Sequence, residues 1–95
     1  MNSCFADNFS DAVEAYDRQD YEEAYRLFSE LEALGHVDAA NNLATMLQTG
    51  DGVHRDYAKA AEFYLKAANA GHIDAAFNYS TLARLGVGIY KNLAE

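Results

Sequence analysis

Proline and tryptophan are absent from this 95-residue chain, and cysteine occurs once, as Cys4. Without proline, nothing removes an amide donor from a helix interior. A single cysteine closes no intramolecular disulfide and builds no cysteine metal cage. Cys4 therefore reads as a plain thiol near the terminus, and a reducing compartment fits. β-Branched residues are scarce, with four Val, two Ile and three Thr. Strands favour those residues, so their scarcity argues for helix. No apolar run approaches the ~20 residues that cross a bilayer. Residues 1–9 lack the basic and apolar segments of a signal peptide. The expectation is a cytoplasmic protein, or one whose leader lies outside this chain, with no membrane partner.

Bases are also few. Seven Lys and Arg stand against fifteen Asp and Glu, for a net charge of −8. The imbalance sits at the front, where residues 1–34 hold nine acids against Arg18 and Arg26. The rest of the chain is nearly balanced. Nucleic acid requires a basic footprint, so it is excluded as a partner. The acidic half reads as a solvated face that aids solubility, with a basic partner as the functional alternative.

What the chain does have is a repeat. Hydrophobic residues make up 51% of it, enough for one modest core. Sliding the sequence by 36 positions sets residues 21–59 against 57–95, and 12 of the 39 pairs are identical. They include Tyr21/Tyr57, Ala24/Ala60, Gly35/Gly71, His36/His72, Asp38/Asp74, Asn42/Asn78, Thr45/Thr81, Gly50/Gly86 and Gly52/Gly88. Such self-similarity is the signature of stacked supersecondary units.

Each unit spells a helical hairpin. Asp20 and Asp56 stand where a first helix (A) should begin, and Asp is a favoured N-cap. Glu23, three residues after Asp20, completes a capping box. Gly35 and Gly71 follow the A helices as left-handed terminators. A second helix (B) starts near Asp38 and Asp74 and stops before the Gly50-Asp51-Gly52 and Gly86-Val87-Gly88 turns. The A and B helices should run about fourteen and eleven residues. Apolar residues recur at helical spacing: 24, 27, 28, 31 and 34, then 60, 63, 64 and 67, in the A helices; 39, 43, 46 and 47, then 75, 79, 82 and 83, in the B helices.

Ahead of the repeats, Phe5, Phe9, Ala12, Val13 and Tyr16 form the apolar side of another amphipathic helix. The whole chain thus reads as one all-α repeat domain: a capping helix at 5–19, repeat 1 at 20–55, repeat 2 at 56–90, and the start of an incomplete third repeat at 91–95. That last fragment leaves the second B helix without a following A helix. Leu82, Leu85, Val87, Ile89 and Tyr90 are then partly bare, and the expectation is that a continuing chain or a second copy covers this end.

The run from Asp56 to Gly71 (DYAKAAEFYLKAANAG), the AANNLA of residues 39–44 and the G-x-G-V turn at 50–53 resemble the Sel-one-like repeat, a subclass of tetratricopeptide-like proteins. The resemblance covers residues 20–92. Ser80 replaces a usual Gly, Leu47 and Ala83 replace a usual Tyr, and the first A helix has few alanines. The resemblance implies an all-α solenoid, an α/α superhelix whose A helices line a concave face. It also implies a protein-binding adaptor or scaffold, with no cofactor. A cysteine-rich branch of the family, some of whose members bind β-lactams, is excluded because the paired cysteines are missing.

On that reading the non-core A-helix positions are the candidate binding surface. They are Glu23, Arg26, Glu30 and Ala33, with their equivalents Lys59, Glu62, Lys66 and Asn69. The spacing of three, four and three keeps each set on one helix face. Equivalent residues are opposite in sign, so they either meet a peptide or protein partner or bridge stacked repeats with ~0–1 kcal/mol apiece. Asn42 and Asn78 recur in mid-helix, where Asn is a poor choice. They read as an amide ladder for a peptide backbone, or as hydrogen-bond partners of a neighbouring loop or helix end. Asn41 should face solvent. The alternative function is structural self-assembly through the open C-terminal end.

Other chemistry finds no support. His36 and His72 occupy equivalent repeat positions, too far apart to converge on a metal ion. Gly50-Asp51-Gly52 lacks the Lys-Ser/Thr of a phosphate loop and the spaced acids of a calcium loop, so it reads as a turn. No Ser, His or Asp sits in a nucleophile context, and the chain is not expected to be an enzyme.

Overall fold

The computed structural model describes the backbone of residues 5–86 and the side chains from Phe9 onward. Cys4, the residues after Gly86 and the start of the third repeat at 91–95 lie outside the described residues. Among these, five helices and no strand occur: α1 (Phe5–Asp17), α2 (Tyr21–Ala33), α3 (Val37–Thr49), α4 (Tyr57–Asn69) and α5 (Ile73–Leu85). The A helices are α2 and α4, and the B helices are α3 and α5. Each helix packs on the next in sequence, as in an all-α repeat solenoid.

All five helices are thirteen residues long. The B helices outrun the expected eleven because their caps lie earlier than Asp38 and Asp74. His36 and His72 are the N-caps. Their Nδ1 atoms accept from the Ala39 and Ala75 amides at 3.3 and 3.0 Å. The same histidines also end the preceding helices, since their amides donate to the carbonyls of Leu31 and Ala67. Gly35 and Gly71, at φ 92° and 100°, supply the left-handed step between. One Gly-His pair thus closes one helix and opens the next.

The expected capping box at Asp20 does not form. Asp56 accepts from the Lys59 amide at 3.0 Å, but Asp20 makes no side-chain cap bond. Its amide is committed to the Ala15 carbonyl, completing the turn that ends α1. That turn leaves Asp20 at φ −88°, ψ 73° instead of extended backbone, and its carboxylate points to Arg18 at 3.7 Å.

The interior is divided by α3. Ala39, Leu43 and Met46 join Ala12, Ala15, Ala24, Phe28 and Leu31 in one core. Ala40, Ala44 and Leu47, on the adjoining face, join Ala60, Ala61, Tyr64, Ala67, Ala75 and Leu82 in the other. Fully burying a large side chain such as Phe28 or Leu43 contributes roughly 1.5–3 kcal/mol. Two expected core positions fall outside. Leu34 is 64% exposed because it is the C-cap, past the last helical turn. Val13 sits at the edge of α1, whose contact with α2 is made through Ala12 and Ala15.

Candidate functional site

The expected binding residues separate into three environments. On α2, Arg26 lies between two acids of its own helix. Its guanidinium donates to Glu23 at 2.7 Å and to Glu30 at 2.9 Å. The Glu23 hydrogen bond is the largest cause of the upward shift of its pKa, followed by the Glu23 charge. Arg26 thus neutralises one of the two acid charges, and the trio keeps a net charge of −1. Glu23 and Arg26 also border a shallow hollow, shared with Asp11 and Glu14 of α1 and with Arg18 just after it.

On α4, Lys59, Glu62, Lys66 and Asn69 are all exposed. Among the described residues, the side chains of Lys59, Glu62 and Asn69 hold no hydrogen bond or ion pair. Lys66 pairs with Glu32 of α2. The expected bridges at Glu23/Lys59, Arg26/Glu62 and Glu30/Lys66 are not formed. Arg26 finds acids three and four residues away on its own helix. Glu32 is the α2 acid that faces α4, and its side chain is largely covered.

Asn42 and Asn78 do not form a ladder together. Asn42 lines a hollow of about 250 Å³ with Val13 and Tyr16 of α1, Phe28 of α2 and Thr45 of α3. Asn78 donates to Asn41 Oδ1 across 3.4 Å, a long bond between α5 and α3. Asn41, expected to face solvent, is therefore half-buried at the junction of the B helices. Val13 and Tyr16 lie on the other side of α1 from Asp11, Glu14 and Arg18, given about 100° per residue. The Asn42 hollow and the Glu23–Arg26 hollow thus open on different sides.

Two networks were not legible in the sequence. Tyr16 donates to Asp51 Oδ2 at 2.8 Å, and Thr49 donates to the same oxygen at 2.8 Å. This ties α1 to the turn after α3 and raises the Tyr16 pKa to about 12, chiefly through the Asp51 hydrogen bond. Tyr64, buried in the second core, donates to Gln48 Oε1 at 2.7 Å and lies 3.1 Å from the Thr45 hydroxyl. Burial pushes its pKa up. The Gly-Asp-Gly sequence is a turn, and Gly52 is required there. It has φ 75°, and a Cβ would stand 2.5 Å from that of Tyr21.

His36 and His72 act as helix caps, and His72 Nε2 also lies 2.9 Å from Asp38 Oδ1. No group of three or more His, Cys, Asp or Glu fit to hold a metal ion occurs among the described residues. No described helix is long and apolar enough to cross a membrane.

A family model of the Sel1 repeat matches residues 15–36 and 37–72. The second match opens on the first residue of α3 and closes on the His72 cap, so it spans a B helix, the turn and the following A helix. No curated protein matches the chain significantly.

Proposed function

Because the chain belongs to the Sel1 repeat family, whose repeats are non-catalytic and generally mediate protein–protein interaction, we propose that it is an adaptor or scaffold whose A helices hold a peptide or protein partner. The surface in this reading is the exposed stripe of α2 and α4: Glu23, Arg26, Glu30, Lys59, Glu62, Lys66 and Asn69. The observation that carries it is the uncommitted state of α4. Among the described residues, Lys59 and Glu62 have no intramolecular ion pair, whereas Glu23, Arg26 and Glu30 of α2 are paired with one another. A partner gains more from charges that are not already paired. Asn42 and Asn78 contribute in this reading only as packing residues of the B helices. The same reading keeps residues 5–19 as the cap, with repeats at 20–55 and 56–90.

The test is comparative capture with two baits, the native chain and a Lys59→Glu/Glu62→Lys variant. Both residues are exposed, so circular dichroism should show unchanged helix content. A partner held by the native bait and lost by the variant supports the A-helix surface. A partner retained equally by both overturns it.

A further inference from the structure

The 36-residue repeat makes α3 and α5 the same helix in two settings. On α3, Val37, Ala40, Ala44 and Leu47 pack in the core that α4 supplies with Ala60, Ala61, Tyr64 and Ala67. The matching α5 positions are Ile73, Ala76, Ser80 and Ala83. There Ile73 is 82% exposed, Ala76 and Ser80 are exposed, and Phe77 beside them is 68% exposed. This is an apolar helix face with small residues at its centre, which permits close approach of another helix.

Its charges select the occupant. Asp74 in the first turn and Arg84 in the last are the only charged residues of α5. Neither has an ion-pair partner among the described residues. An antiparallel pair of α5 helices centred midway along their length sets each Asp74 against the Arg84 of the other copy. The two ion pairs would lie about 15 Å apart, ten residues at 1.5 Å each. Phe77 of each copy then lies level with Thr81 of the other, beside the small Ser80. A parallel pair would set Arg84 against Arg84. The outer face of α1 is no alternative acceptor, because it carries Asp11, Glu14 and Asp17. We propose that the chain forms a twofold dimer through α5, with Ala76, Phe77 and Ser80 at the centre, Asp74–Arg84 pairs flanking them and Ile73 at the outer edge of each helix. Such an isologous contact closes on itself. It is independent of the partner surface on α2 and α4.

The test is sedimentation equilibrium of the full 95-residue chain and two charge variants, Asp74→Arg and Arg84→Asp. Both sites are exposed, and circular dichroism verifies the fold. The native chain should shift from monomer to dimer mass as concentration rises. Each variant alone opposes like charges and should weaken dimerisation by about tenfold or more. An equimolar mixture of the two variants should regain dimer mass, because one copy then carries two cations and the other two anions. A native chain monomeric at all concentrations overturns the proposal. So does a dimer indifferent to either substitution, or a mixture no more associated than its parts. Native dimerisation that persists in the Lys59→Glu/Glu62→Lys variant separates this contact from the partner surface.

Discussion

The helices α3 and α5 share 36-residue spacing, the same His cap and the same Asp-Ala-Ala start, yet they differ in how much of themselves they bury. Ala39, Ala40, Leu43, Ala44, Met46 and Leu47 are buried on α3, but only Ala75 and Leu82 on α5. The difference lies in neighbours, not in propensity. α3 has an A helix on each side, while among the described residues α5 has one. Burial in a repeat protein is therefore a property of the interface a helix is given, and a sequence match between repeats does not transmit it.

Substitutions on the two helices should expose the contrast. The largest gap is expected between Leu43→Ala and Phe77→Ala. Leu43 is 1% exposed, and its truncation should cost about 2–4 kcal/mol in urea unfolding. Phe77 is a larger side chain, but its loss should cost under about 0.5 kcal/mol at concentrations that keep the chain monomeric. Equal losses would mean that α5 is covered in solution.

Ala44→Leu against Ser80→Leu comes next. Overfilling the closed α3–α4 contact should destabilise by about 1–3 kcal/mol, read as a lower thermal midpoint. Leucine at the open Ser80 position should leave the monomer's midpoint nearly unchanged.

The caps sharpen the comparison by their similarity. His36→Ala and His72→Ala each remove a bond to the N-terminal amides of a B helix, at about 1 kcal/mol. Each also loses a second contact, His36 its stacking on Phe9 at 4.7 Å and His72 its approach to Asp38 at 2.9 Å. Replacement by Asn, a good cap, should recover most of the His72 loss.

The smallest effect distinguishes the junctions on either side of α3. The α1 junction uses the Tyr16–Asp51 bond, and the α5 junction uses the neutral Asn41–Asn78 pair. Tyr16 holds its proton more tightly when folded, with a pKa moved from 10 to about 12. Its contribution is therefore complete below pH 10 and disappears as the pH rises through about 12. Tyr16→Phe should flatten that alkaline limb of the stability profile, and Asn78→Ala should leave its slope unchanged.

Much of this fold is legible in one dimension. The repeat period, the Gly turns and the helical spacing of Ala24, Phe28 and Leu31 are properties of order along the chain, and the structure keeps them. The candidate site is less legible, because it depends on which neighbour a side chain meets first. The repeat period matches Arg26 with Glu62, one repeat away, but Glu23 and Glu30 lie within a helical turn. Stacking is also not in strict register. Lys66 meets a residue 34 positions earlier, and Asn78 one 37 positions earlier, so equivalence by 36 does not name the contact. The histidine caps were hidden for another reason. Histidine is not among the usual cap residues, and only its place after Gly and before Val-Asp or Ile-Asp marks it.

The two-sidedness of α3 has a consequence in time as well as in space. Releasing α3 strips a wall from both cores at once, whereas releasing α5 disturbs one. Local opening should therefore be rarest at α3 and commonest at α5. Amide hydrogen exchange should be slowest at Leu43, Ala44 and Met46 and should quicken outward along the stack. A helix that belongs to two cores acts as the clasp of a short array, making two small cores melt as one.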